Sequence, residues 1–131
     1  MSDKVELLRR GYDEIWKRGN LEKGLAGLGD DIEWIVPEDV GGRPVRRGRE
    51  EVREFFSDFL EFFQPVTTDY DLEEVGDRVV VTTRMLARAR GSGIETELRI
   101  AQVWTFEGGR VVRMEWYRSP ADAYAAIGLE R

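Results

Sequence analysis

Two polar side chains fall where the chain's alternation calls for apolar ones. In the stretch Glu95 to Phe106, Leu98, Ile100, Gln102, Trp104 and Phe106 alternate with Glu97, Arg99, Ala101, Val103 and Thr105. Beyond Gly108-Gly109, Val112, Met114 and Trp116 alternate with Val111, Arg113, Glu115 and Tyr117, and the inward set ends on Arg118. An amide or a guanidinium facing an apolar interior needs a partner, water or a cavity, because burying it unpaired is costly. Gln102 is mid-strand, so it either lines a pocket or is satisfied within the core. Arg118, near the strand end, either reaches solvent or turns inward. Together they would suit the carbonyl or carboxylate of a ligand.

Other chemistry is scarce. The chain has no histidine and no cysteine, which removes disulfides, thiolate metal sites and the commonest proton carrier near neutral pH. Glu33, Glu95, Glu97 and Glu115 fall on outward positions, so neither a metal site nor a cofactor is expected. VGGRP lacks the Lys-Ser/Thr of a phosphate loop. Arg43, Arg46, Arg47, Arg49 and Arg53 read as a solvated loop and helix start. Glu38 and Asp39, after Pro37, are the only acids placed to swing over a pocket mouth.

The register of the last two strands decides which side chains meet. A two-residue turn would pair Trp104 with Arg113 and Gln102 with Glu115, mixing the faces. A three-residue loop with Gly109 in a left-handed bulge position instead pairs Trp104 with Val112, Gln102 with Met114 and Ile100 with Trp116. That register is the one expected.

The elements that must hold this ribbon follow from periodicity. Val5, Leu8, Tyr12 and Ile15 predict a helix from Asp3 to Arg18, with Asp3 and Glu6 at its start and Gly19 at its end. Asn20 caps a second helix whose stripe is Leu21, Leu25 and Leu28, and IEWIV before Pro37 reads as a short strand. The loop EDVGGRPVRRG leads to a third helix, Arg49 to Phe63, with Val52, Phe55, Phe56, Phe59, Leu60 and Phe63 on one broad face and Pro65 closing it. Strands TTDYDLEEV, DRVVVTTRMLARAR, ETELRIAQVWTF and RVVRMEWYRS follow. Three helices before a meander predict an α+β fold, helices on one face of a curved antiparallel sheet.

At 131 residues a single domain is expected, residues 1–131, with a core over about 5–120 and a tail over 121–131. The formal net charge of −6 argues against nucleic acid or anionic membrane as partners. The charged N-terminus has no apolar run, so a cytoplasmic location is expected.

The helix ending in RGN, Asp30-Asp31 before IEWIVP, GREEVREFF and the hairpin VWTFEGGRVVRMEWY resemble the SnoaL-like branch of the nuclear transport factor two-like superfamily. The resemblance implies a cystatin-like cone: three N-terminal helices packed in a strongly curved, mostly antiparallel sheet of about four to six strands, with an apolar pocket at one end. It also implies a homodimer through the outer sheet face. Mapped on that frame, the pocket wall contains Tyr12, Trp16, Trp34, Val36, Phe56, Phe59, Met85, Leu98, Ile100, Gln102, Trp104, Met114, Trp116 and Arg118, while Phe55, Phe62 and Phe63 go to core or dimer contacts. Ketosteroid isomerases place a carboxylate where this chain has Val36 and a sheet acid where it has Gln102; only the helix-one tyrosine is matched, by Tyr12. Their second tyrosine position is Phe56. Proton-shuttling isomerase chemistry is therefore not expected. The residues left as catalytic candidates are Tyr12, Gln102, Glu38 and Asp39.

Two functions follow. In one, the protein binds a small apolar ligand anchored by Tyr12, Gln102 and Arg118, with any turnover cofactor-independent. In the other, Trp34, Trp104, Trp116 and the phenylalanines fill the cone of a non-enzymatic dimeric module. Without a polar ligand, leucine at position 102 is expected to be tolerated.

Overall fold

The computed structural model describes residues 3–37 and 43–129. Helix α1 (Asp3–Tyr12) continues into a wider π turn, Asp13–Lys17, closed by Arg18 N–H donating to the Asp13 carbonyl five residues back at 3.1 Å. This keeps Val5, Leu8, Tyr12 and Ile15 on one buried face. Asn20 caps α2 (Leu21–Leu25) by accepting from Lys23 N–H at 3.2 Å. Leu28, expected on the α2 stripe, instead opens β1 (Leu28–Ile35). The helix ends first, and Leu28 pairs with Val111.

After β2 (Val45–Arg47), a short strand within the expected loop, α3 (Gly48–Phe62) buries Val52 and Phe56 and leaves Phe62 67% exposed. Four long strands complete the sheet: β3 (Phe63–Val75), β4 (Arg78–Ala89), β5 (Glu95–Glu107) and β6 (Arg110–Tyr117). Pro65 does not close the helix. It lies in β3 where the register shifts, and β3 is an edge strand, where a missing N–H donor is tolerated.

The sheet order is β2-β1-β6-β5-β4-β3, antiparallel except for the β1–β6 pair. The sheet is curved and open, and with the helices it makes an α+β fold. One transverse row runs Arg46, Trp34, Met114, Trp104, Val79 across five strands, and every member is buried.

The hairpin register differs from the expected one by two residues. Gly108 and Gly109, both at positive φ (60° and 79°), form a two-residue turn that pairs Glu107 with Arg110. A bulge follows at once: Phe106 pairs with Val111, Thr105 with Arg113, and Val112 is the extra residue. Trp104 therefore faces Met114, and Gln102 faces Trp116. The bulge restores the parity a tight turn would have broken, so both indoles stay on the inner face. Val111, read as outward, is fully buried in the core.

The stretch expected as a tail begins within a helix. Helix α4 (Pro120–Ala126) starts at Ser119, whose Oγ accepts from Asp122 N–H at 3.1 Å, and packs Ala123 on Val80, Ala101 and Val103 of the outer sheet face. Among the described residues no helix is long and apolar enough to cross a membrane.

Candidate functional site

The curvature brings α1, the π turn, α2 and α3 against the inner face of β1, β4, β5 and β6. At the base, a chamber of about 60 Å³ is lined by, among others, Tyr12, Trp16, Trp34, Phe55, Phe56, Phe59, Met85, Ile100, Gln102, Trp104 and Trp116. Its aromatic walls interlock: Trp34 meets Trp104 at 5.5 Å and Phe56 at 5.3 Å, and Trp16 meets Phe56 and Phe59, all edge to face. A larger vestibule of about 460 Å³ shares Phe55, Phe59, Ile100 and Trp116 with the chamber and adds Arg46, Asp58, Phe62, Phe63, Leu98 and Arg99. The two spaces form a funnel.

One buried polar group organises the base. Gln102, 7% exposed, accepts at Oε1 from the Tyr12 hydroxyl and from Trp104 Nε1–H, the latter at 3.2 Å. Indole nitrogen only donates, so the oxygen of the amide must face Trp104. Nε2 of Gln102 has no hydrogen bond among the described residues and is left as a donor. Trp34 Nε1–H, on the same wall, is buried without a partner. Burial pushes the Tyr12 pKa well above that of an ordinary phenol, with Thr83 and Trp104 acting in the opposite sense. Tyr12 is thus a neutral donor. It also stacks on Tyr70 at 5.0 Å, whose hydroxyl donates to Asp13.

Ten of the residues read as pocket wall line the chamber: Tyr12, Trp16, Trp34, Phe56, Phe59, Met85, Ile100, Gln102, Trp104 and Trp116. Leu98 lines the vestibule only. Val36 and Met114 are buried in the core and line neither space. Arg118 does not reach the funnel. It is exposed past the end of β6, lining a surface groove with Thr82, Arg84 and Arg99, because the strand ends at Tyr117 and the chain turns into α4. Phe55, assigned to core or dimer contacts, lines both spaces. Glu38 and Asp39 lie outside the described residues.

For leucine at 102, expected to be tolerated or stabilising without a polar ligand, these contacts point to a cost instead. With the amide gone, the Tyr12 and Trp104 donors would both be buried without an acceptor.

Sequence reasoning missed Arg46. Read as one of five solvated arginines, it is 6% exposed, whereas Arg43, Arg47, Arg49 and Arg53 each pair with a carboxylate at the surface. The signal was local: in VRR before the glycine of α3, a three-residue strand with pattern out-in-out turns only the middle residue inward.

An α+β cone with an apolar funnel and a short polar base defines a class with many relatives. The SnoaL-like domain family matches residues 8–114, and the chain belongs to it. A nuclear transport factor two-like protein of unknown function from Burkholderia pseudomallei is 28% identical over 98% of this chain and 99% of its own, with a TM-score of 0.75. A nuclear transport factor two-like protein from Burkholderia thailandensis is 25% identical over 94% of this chain and 98% of its own, TM-score 0.75. TerC, co-crystallised with polyporic acid, is 24% identical over 96% of this chain and 98% of its own, TM-score 0.76. No curated protein matches the chain.

Proposed function

We propose that the protein binds a small, ring-bearing, mostly apolar molecule that enters by the vestibule and presents an acceptor oxygen to the base of the funnel. The observation that carries this reading is Gln102, whose Oε1 is saturated by two internal donors while Nε2 remains to meet a ligand. A carbonyl is the group that fits such a donor. The vestibule, at about 460 Å³, falls within the roughly 300–1,000 Å³ usual for small-molecule sites.

The described residues at the base of the funnel bind rather than transfer protons. Tyr12 stays protonated, and Val36 occupies the position where related isomerases carry their base. One observation favours the filled-cone alternative: the chamber, about 60 Å³, is well below the ~150 Å³ that admits benzene. The ring of the ligand therefore belongs in the vestibule, with only its oxygen reaching inward.

2-Acetylnaphthalene, neutral and ketone-bearing, separates the readings. It is expected to raise the Tm of the wild type and quench its tryptophan fluorescence, and Ile100→Trp, which fills the shared wall, should abolish both effects. No response in the wild type would leave the filled module as the better account.

The homodimer is proposed to use the Arg84, Glu97 and Arg99 end of the outer sheet face, since α4 occupies the Val80, Ala101 and Val103 patch. A monomer at every concentration in sedimentation equilibrium refutes it.

A further inference from the structure

The vestibule contains a buried cation that no carboxylate among the described residues neutralises. Arg46 sits on the inward position of β2, opposite Trp34, with its guanidinium over the Phe55 ring at 5.0 Å. Nη1 donates to the Arg43 carbonyl at 3.3 Å, a contact at the long end of the hydrogen-bond range. Nε–H is buried without a partner, and no carboxylate among the described residues comes within ion-pairing distance of this side chain. Nε and Nη2 form the edge of a guanidinium that grips a carboxylate with two parallel hydrogen bonds. A buried guanidinium with no carboxylate beside it among the described residues is costly to the fold, so its retention at the mouth of an apolar space calls for an anionic visitor. Asp58, exposed on the same vestibule wall, disfavours a second negative charge on that visitor, and the other cation of that wall, Arg99, is already paired with Glu97 at 2.7 Å.

Resting on the funnel reading above, we infer that the ligand is a planar aromatic monocarboxylate whose carboxylate pairs with the Nε–Nη2 edge of Arg46 while its ring lies among Phe55, Phe59, Leu98, Ile100 and Trp116. Arg46 thereby takes the anchoring role first assigned to Arg118. The carboxylate binds at the mouth, and any carbonyl on the far side of the ring points to Gln102.

The test compares 2-naphthoate with 2-acetylnaphthalene, which share a ring system and differ in charge. Titration calorimetry on the wild type is expected to show naphthoate binding roughly tenfold or more tightly, with the advantage shrinking as salt rises. Arg46→Gln should erase the advantage, bringing the ratio of the two affinities to about one; Arg46→Lys, which retains charge without the fork, should keep only part of it. Should the variants fail to fold, the Nε–H resonance of Arg46 in the wild type must move with naphthoate and not with the ketone. Equal affinity for both compounds overturns the carboxylate inference and leaves the apolar site intact. Binding of neither overturns both. An Arg46→Gln protein that still prefers naphthoate, or an Nε–H signal unmoved by it, refutes the role of this arginine.

Discussion

Gln102 is held by what it accepts as much as by what surrounds it. Tyr12 from the first helix and Trp104 two residues along its own strand both donate to one amide oxygen, which ties α1 to the sheet at the base of the funnel. Gln102→Leu should therefore cost about 2–4 kcal/mol in urea unfolding, since it orphans two buried donors. Tyr12→Phe, which removes a donor and leaves the amide oxygen its indole partner, should cost about 1 kcal/mol. The double variant should lose less than the sum of the two. Strictly additive losses would mean the contact does not form.

Alkaline pH reads the same network. Burial raises the pKa of Tyr12, Tyr70 and Tyr117, the last to about 12. The unfolded chain then binds fewer protons than the native one once pH exceeds the ordinary phenol value of about 10. This contribution to stability is complete below about pH 10 and is lost progressively above it. Ionisation followed at 295 nm should lag in the native protein and appear with unfolding; free titration of every tyrosine near pH 10 would contradict the buried placement.

At the scale of elements, the helices approach so closely that side chains are excluded at the contact. A Cβ added at Gly24 would lie 2.2 Å from Ile15 Cγ1 and 3.2 Å from the Gly11 carbonyl oxygen. Alanine is normally the better helix former, yet Gly24→Ala should destabilise by about 1–3 kcal/mol through overpacking. Gly91, with open space around it, should accept alanine without loss, as thermal melts of the two variants would show. The closing helix is the second such case. A chain ending at Ser119 uncovers Val80, Ala101 and Val103. It should lose roughly 2–4 kcal/mol and self-associate with concentration in light scattering; an unchanged, monodisperse truncation would show that α4 contributes nothing. Its Ser119-Pro120-Ala121-Asp122 start is a readable N-terminal signature, and only the expectation of a tail hid it.

For the molecule as a whole, legibility followed the range of the interactions. The period-two pattern of β5 and β6 placed Gln102, Trp104 and Trp116 on one face, and the three- and four-residue spacing of α1 and α3 placed Tyr12 and Phe56 toward it, because these depend on neighbours in the chain. The same local patterns determined the element order and hence the α+β class. The tertiary structure alone decided which residues meet across strands, since a bulge at Val112 shifts the pairing and turns Val111 inward, while Met114 and Trp116 keep the face their spacing gives them. It also decided that Arg118 escapes to the surface while Arg46 turns inward on a three-residue edge strand, and how much of the cone its indoles leave open. Cavity volume and the neutralisation of a buried charge are sums over side chains from six strands and the packed helices, and no local period encodes them.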